Sequence, residues 1–213
     1  MATPKPQIRS AFATPVCVHY LPVAPEVNPE LRPLILDKMQ AAGAAPQPGQ
    51  GWRSEPDFED WGGGGAQTLF RMVRELADAL TATRTGGRIT LDWKIAAAGA
   101  IRQTEDHVET SAKPGTFWSG IYFVDDGYGK GDDDSLGGEC ELMDPRGDLP
   151  ASLSPQLAFR IPGGTTAGMS EIIRPKTGMI LLHPGWLARG ERRFGGQGPR
   201  VTVEFELTPP ELS

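Results

Sequence analysis

The sequence predicts a mainly β fold, a sandwich or jelly roll with two helices packed outside it, and three observations carry that expectation. Turn formers are abundant, with 27 Gly and 20 Pro among 213 residues, which suits many short strands better than a helical bundle. From Arg88 onward apolar residues recur with a period of two, in short segments bounded by Gly, Pro and Asp. A three-and-four period is confined to stretches ahead of them.

In chain order, "PVCVHYLP" reads as a first strand, and its His19 as structural. "NPELRPLILDKMQAAG" predicts a helix over 29–41, with Asn28 as N-cap, Pro29 at the first helical position and Gly43 past the end. The next stretch, "GAAPQPGQGWRSEPDFEDWGGGG", has turn formers and no periodic face, so it is expected to be a long surface loop carrying Trp52, Phe58 and Trp61, a candidate lid. A second helix, about 67–83, shows an apolar stripe of Leu69, Met72, Val73, Leu76, Ala79 and Leu80 that should pack on a sheet.

Strands follow in "RITLDWKIA", "FWSGIYFVDD", "GECELMDP", "MSEIIRP", "GMILLHP" and "RVTVEFEL", all rich in β-branched and aromatic residues. The acidic link "DDGYGKGDDDSLGG" lacks the alternating ligands and closing Glu of a helix-loop-helix calcium site and reads as a solvated loop. The expected organisation is one domain over 1–213, with a first strand, helices and loop in 1–86 and the jelly-roll core in 87–208.

A net charge of −6 and no isolated basic run give no electrostatic support for a nucleic-acid or membrane-surface role. Cys17 and Cys140 form no CxxC or Cys/His pattern, so neither a disulfide framework nor a zinc knuckle is indicated, and a reducing cytoplasm is the plain reading. "MATPKPQIRS" lacks an apolar core of the length a signal peptide needs and no apolar run has the length of a membrane span, so a soluble, unexported protein is expected. The expected partner is a small-molecule or protein substrate, and an exposed strand edge or the Trp-bearing loop would support a homodimer.

Two groups of residues suggest chemistry. If His107, Val108 and Glu109 are extended, the imidazole and the carboxylate project to one side, a natural pair of metal ligands. Arg200 opens the strand "RVTVEFEL", where a guanidinium at the mouth of a β-sandwich would grip a carboxylate through two parallel hydrogen bonds.

The order of these features over about 93–207, with the words "WSGIYFV", "MDPRG" and "HPGWL", resembles a bacterial family of 2-oxoglutarate and Fe(II)-dependent oxygenases distantly similar to prolyl hydroxylases. The resemblance implies a double-stranded β-helix, a cupin-like jelly roll. Its mouth would hold Fe(II) through a His-x-Asp or His-x-His pair and a distal histidine, and 2-oxoglutarate through an arginine about ten residues further on. The implied reaction hydroxylates an unknown substrate with decarboxylation of 2-oxoglutarate.

By that resemblance Arg200 is the 2-oxoglutarate arginine. Two alignments of the ligand pair stand. Counting forward from Trp93 gives His107 and Glu109, whereas counting back from Ser119 without a gap gives Ser111 and Lys113; the first is preferred because the second leaves no ligand. Arg189 occupies the distal histidine position and cannot donate a lone pair to iron. His183, six residues earlier, would complete a facial triad with His107 and Glu109 if its side chain faces the mouth. Ile95 and Glu206 stand where the family tends to carry asparagines. The second reading is a jelly roll without its iron triad that binds a carboxylate, another anion or a protein partner through Arg189 and Arg200.

Overall fold

A computed structural model describes residues 7, 11–43, 49, 51–129, 133–147, 153–161, 164–166, 168 and 170–211. Two antiparallel sheets face each other, with helices covering the outer face of the larger one. The larger sheet has the order β1 (Cys17–Tyr20), β10 (Met179–Pro184), β5 (Trp118–Asp125), β12 (Arg200–Thr208), β3 (Lys94–Arg102), β2 (Trp52–Arg53). The smaller has the order β4 (Val108–Ser111), β11 (Arg189–Glu191), β6 (Cys140–Met143), β9 (Ser170–Ile173). A hairpin of β7 (Phe159–Ile161) and β8 (Gly164–Thr166) stands apart from both. The architecture is the double-stranded β-helix the sequence resemblance implies.

The first helix, α1 (Ala24–Ala41), begins earlier than expected. Pro25 supplies the start, Val23 is the N-cap, and Asn28 lies inside the helix, where its Oδ1 accepts the Tyr122 hydroxyl at 2.6 Å. Pro29 and Pro33 each remove a helical hydrogen bond. Burial of Val27, Leu31 and Ile35 against the sheet offsets that loss. Gly43, past the end, takes φ +62°, as its position predicts.

The expected lid is instead part of the scaffold. Trp52 sits in β2, paired with Ile101 of β3, and Phe58 is fully buried in the short helix α2 (Phe58–Trp61) against Trp61 and Phe70. Aromatic burial decides this, since a loop carrying three large rings gains more from docking them than from staying solvated. Residues 44–48 and 50 of that stretch lie outside the described residues, as do 130–132 of the acidic link. Asp133 there caps a single 3₁₀ turn by accepting from Ser135 N.

The long helix, α3 (Gly63–Leu80), buries Ala66, Leu69, Phe70, Val73 and Ala77. The stripe therefore drifts from the expected one, and Leu80 is exposed. Asp78 on its last turn accepts from both Leu91 N and Trp93 Nε1, which holds the extended approach to β3.

Alternation along the strands divides the side chains between two cores. Tyr122, Val124, Ile180, Leu182, Val203, Phe205 and Leu207 face the helices. Ile121, Phe123, Met179, Leu181 and Cys140 face the space between the sheets. Gly120 admits the Phe205 ring: a Cβ there would run into it and lie 2.9 Å from the Leu181 carbonyl oxygen. Gly120→Ala is expected to cost about 1–3 kcal/mol in urea unfolding, as overpacked cores do; an unchanged midpoint would contradict this packing.

No helix among the described residues is long and apolar enough to cross a membrane.

Candidate functional site

Strand parity assigns a second set of residues to the inter-sheet space, and these are charged. On β12 the residues alternating with Val201, Val203, Phe205 and Leu207 are Arg200, Thr202, Glu204 and Glu206. Arg102 arrives from β3, opposite Arg200, and His183 from β10, on the side of Met179 and Leu181. The smaller sheet contributes Arg189 and Glu191, which sit two apart on one strand and so share a face.

Arg200 is fully buried. Its Nη1 donates to Gly138 O at 2.6 Å and its Nε to Asp126 O at 3.1 Å. The guanidinium lies 4.3 Å from the Phe194 ring centroid and 5.1 Å from that of Tyr128. Its remaining nitrogen, Nη2, is buried without a hydrogen-bond partner.

Glu191 links two guanidiniums. Oε1 is 2.9 Å from Arg189 Nη1, and Oε2 is 3.7 Å from Arg200 Nη1. The side chains of Arg189 and Glu191 are only 10% and 3% exposed, so water screens this group little. Burial works most strongly against the charge of Arg189, but Glu191, Cys140 and Glu204 together outweigh it and keep the guanidinium protonated. Burial likewise pushes the neighbouring Cys140 thiol up to about 12, with the Glu191 charge adding to it, so the thiol is inert as a nucleophile.

Towards the mouth, Glu204 accepts from Arg102 Nη2 and Arg53 Nε, each at 2.9 Å. Burial raises its carboxyl, but Arg102, Arg189 and Arg53 together hold it below the usual carboxylate range. Glu206 meets Lys113 Nζ at 3.5 Å and Thr116 Oγ1 at 3.2 Å. The cluster thus brings Arg53, Arg102, Lys113, Arg189 and Arg200 to Glu191, Glu204 and Glu206, a local excess of positive charge in an acidic protein.

His183 does point inward, and it is 1% exposed. Its Nδ1 lies 3.0 Å from Pro184 O, which can only accept, so Nδ1 carries the proton and Nε2 keeps a bare lone pair without a partner. Burial, and then the charge of Arg189, lower its pKa to about 4. The ring is therefore neutral at physiological pH.

The expected triad of His107, Glu109 and His183 is not formed. Val108 lies opposite the buried Glu191, and residues directly opposite in an antiparallel pair share a face. Val108 is therefore turned inward and its neighbours His107 and Glu109 outward, where both are exposed. A bulge between Arg189 and Glu191 then sets Ser111 opposite Arg189. Of the gapless alternative, Ser111 lies opposite Arg189 but is exposed, and Lys113 Nζ reaches Glu206 at the mouth. Among the described residues, no three His, Cys, Asp or Glu side chains come together to hold a metal ion. His19, read as structural, lies exposed on the edge strand β1.

Sequence reasoning missed Glu191 and Glu204. The signal for both was present: Arg189 and Glu191 are two apart, and Glu204 follows Arg200 with strand parity.

Residues 99–206 match the family described as Putative 2OG-Fe(II) oxygenase, over half of the chain. The chain belongs to this family. Solved structures agree on the fold. A prolyl-4-hydroxylase from Pseudomonas putida aligns with TM-score 0.61 at 10% identity, covering 92% of this chain and 94% of that one. A prolyl hydroxylase from Trichoplax adhaerens, solved with a hypoxia-inducible-factor peptide, aligns with TM-score 0.62 at 10% identity over 91% and 83%. HygX from Streptomyces hygroscopicus, solved with nickel and 2-oxoglutarate bound, aligns with TM-score 0.56 at 12% identity over 94% and 85%. No curated protein matches the chain.

Iron and 2-oxoglutarate are the cosubstrates for which the family is named. In the gapless alignment Ser111 and Lys113 provide no imidazole or carboxylate for a metal, in the other His107 and Glu109 face outward, and Arg189 is a cation tied to Glu191. The described residues do fit an anion, since a buried guanidinium nitrogen is left unpaired among surplus positive charge.

Proposed function

We propose that this member of the oxygenase family recognises 2-oxoglutarate, or a dicarboxylate of the same length, between its two sheets. The observation that carries the reading is Arg200 Nη2, a buried donor without a partner on the residue that the family resemblance assigns to the far carboxylate. Phe194 and Tyr128 stack on the guanidinium, while Gly138 O and Asp126 O fix its orientation. A carboxylate meeting Nη2 in this water-poor space gains a charge-assisted hydrogen bond. Lys113 at the mouth adds long-range attraction for a dianion.

Calorimetric titration tests this. 2-Oxoglutarate is expected to bind the protein, and Arg200→Lys, which keeps the charge but loses the planar fork, to weaken binding at least about tenfold. The reading fails if neither 2-oxoglutarate nor glutarate binds at millimolar concentration.

The substrate is a small molecule or a protein, not a nucleic acid, in keeping with the net charge of −6. A cytoplasmic location is supported by Cys17 and Cys140, both free thiols. The outer edge of β1, where Val18 and Tyr20 are exposed, is the edge that would carry a homodimer, which sedimentation velocity would detect.

A further inference from the structure

We propose that Arg189 takes the place of the metal: the guanidinium, braced by Glu191, is the central cation of this pocket, and the dicarboxylate binds without iron. This rests on the reading of the pocket as a dicarboxylate site, and extends it from the arginine at the closed end to the centre.

Three observations carry it. The first is register. The strands that would carry the family's ligands are β4 and β11, and they set Ser111 directly opposite Arg189, with Lys113 two residues on at the mouth. The three positions that would surround an iron ion thus hold a hydroxyl and two cations. A divalent ion among them would meet repulsion from Lys113 and Arg189, and the nearby carboxylates of Glu191, Glu204 and Glu206 are each already paired with a cation.

The second is the role of Glu191. Its carboxylate contacts Arg189 and lies near Arg200. Glu191 thus joins the cation at the distal ligand position to the arginine that the resemblance assigns to 2-oxoglutarate, and holds the two in one inter-sheet cluster. Arg189 is held charged there, as a stand-in for a metal must be.

The third is His183. It is the imidazole that faces the inter-sheet space, its Nε2 lone pair is bare and buried, and the nearby charge of Arg189 disfavours its protonation. One neutral imidazole does not hold iron, and the outward-facing His107 and Glu109 cannot join it.

The test uses Co(II) chloride as a spectroscopic probe and 2-oxoglutarate titration with and without EDTA, on the full chain and on the triple variant Ser111→His, Lys113→Asp, Arg189→His. The unmodified protein is expected to give no saturable visible Co(II) band at one equivalent, and its 2-oxoglutarate affinity to be the same in EDTA. The triple variant is expected to gain a one-equivalent Co(II) band, and its 2-oxoglutarate affinity to become EDTA-sensitive. Stoichiometric Co(II) binding by the unmodified protein, with a tenfold or greater loss of 2-oxoglutarate affinity in EDTA, overturns the proposal. So does a folded triple variant that remains blank to Co(II), because the three positions would then not surround a metal site.

Should the triple variant not fold, Arg189→Met decides. Loss of at least about tenfold in metal-free 2-oxoglutarate affinity supports the proposal, and unchanged affinity overturns it. Absence of 2-oxoglutarate binding in every protein would sink the dicarboxylate reading instead, while the Co(II) result would still decide whether metal binds.

Discussion

Replacing Glu191 by alanine is expected to destabilise the folded protein by about 3–5 kcal/mol, the usual cost of removing one partner from a buried ion pair. The size follows from what is left behind. Arg200 is fully buried and Arg189 is 10% exposed, so neither guanidinium can recover its hydration by turning outward. Arg200 would keep its two backbone carbonyls, but Arg189 would lose its 2.9 Å carboxylate contact. Glu204 lowers the cost, being close enough to feel Arg189, but it already serves Arg102 and Arg53.

Urea unfolding of Glu191→Ala beside Glu109→Ala gives the measurement. Glu109 is exposed on the outward face of β4 and should change stability by no more than about 0.5 kcal/mol. In Glu191→Gln combined with Arg189→Met, where pair and charge go together, much of the loss should return. A Glu191→Ala cost below about 1 kcal/mol would mean that water or Glu204 replaces the carboxylate, and the account of Glu191 as the brace would be wrong.

The fold was legible because strand signals are local and redundant. "WSGIYFV", "GMILLHP" and "RVTVEFEL" each announce a strand by composition alone, and their order with the "HPGWL" turn carried the family resemblance. The stretch holding Trp52, Phe58 and Trp61 was misread because its glycines and prolines dominate a local reading, whereas its placement is decided by partners far along the chain, Ile101 and Phe70 among them.

The site was half legible for a related reason. Arg200 and Arg189 follow from position. The choice between His107 with Glu109 and Ser111 with Lys113 does not, because it turns on which residues of β4 face inward. That is fixed by the bulge opposite Arg189, a departure from simple alternation that "HVETSAK" does not signal. Chemical plausibility favoured His107 and Glu109, the residues able to bind metal, but they lie exposed on either side of the inward-turned Val108. The charged face of β12 was hidden in the same way, since Glu204 and Glu206 look like solvent-facing residues until the second sheet covers that side.

His183 gives the second large effect, which is seen in the pH dependence of stability. Its pKa falls from about 6.5 to about 4 in the folded protein, because burial and then Arg189 oppose its charge. The unfolded chain therefore takes up a proton as pH drops through 6.5, while the folded chain does not until about 4. Protonation favours the unfolded state throughout that window, so stability is full above 6.5, declines as pH falls, and levels off below 4 as far as this group is concerned. At about 1.4 kcal/mol per unit, the loss amounts to about 3 kcal/mol.

Glu141, Asp144 and Glu204, whose pKa values are depressed from 4.5, 3.8 and 4.5, contribute stability that is lost only as pH falls below that range. The interval from 6.5 to 4.5 is thus where His183 can be read. His183→Asn retains a donor for the Pro184 carbonyl and removes the titration, so urea unfolding at pH 7.5, 6.5, 5.5 and 4.5 should show a flatter profile in the variant. Long-range ¹⁵N correlation spectra of the imidazole should show Nδ1 protonated and Nε2 bare at pH 6 and above. Equal slopes in the two proteins would mean that water reaches Nε2 and the ring titrates normally, leaving the inter-sheet space wetter than its 1% exposure implies.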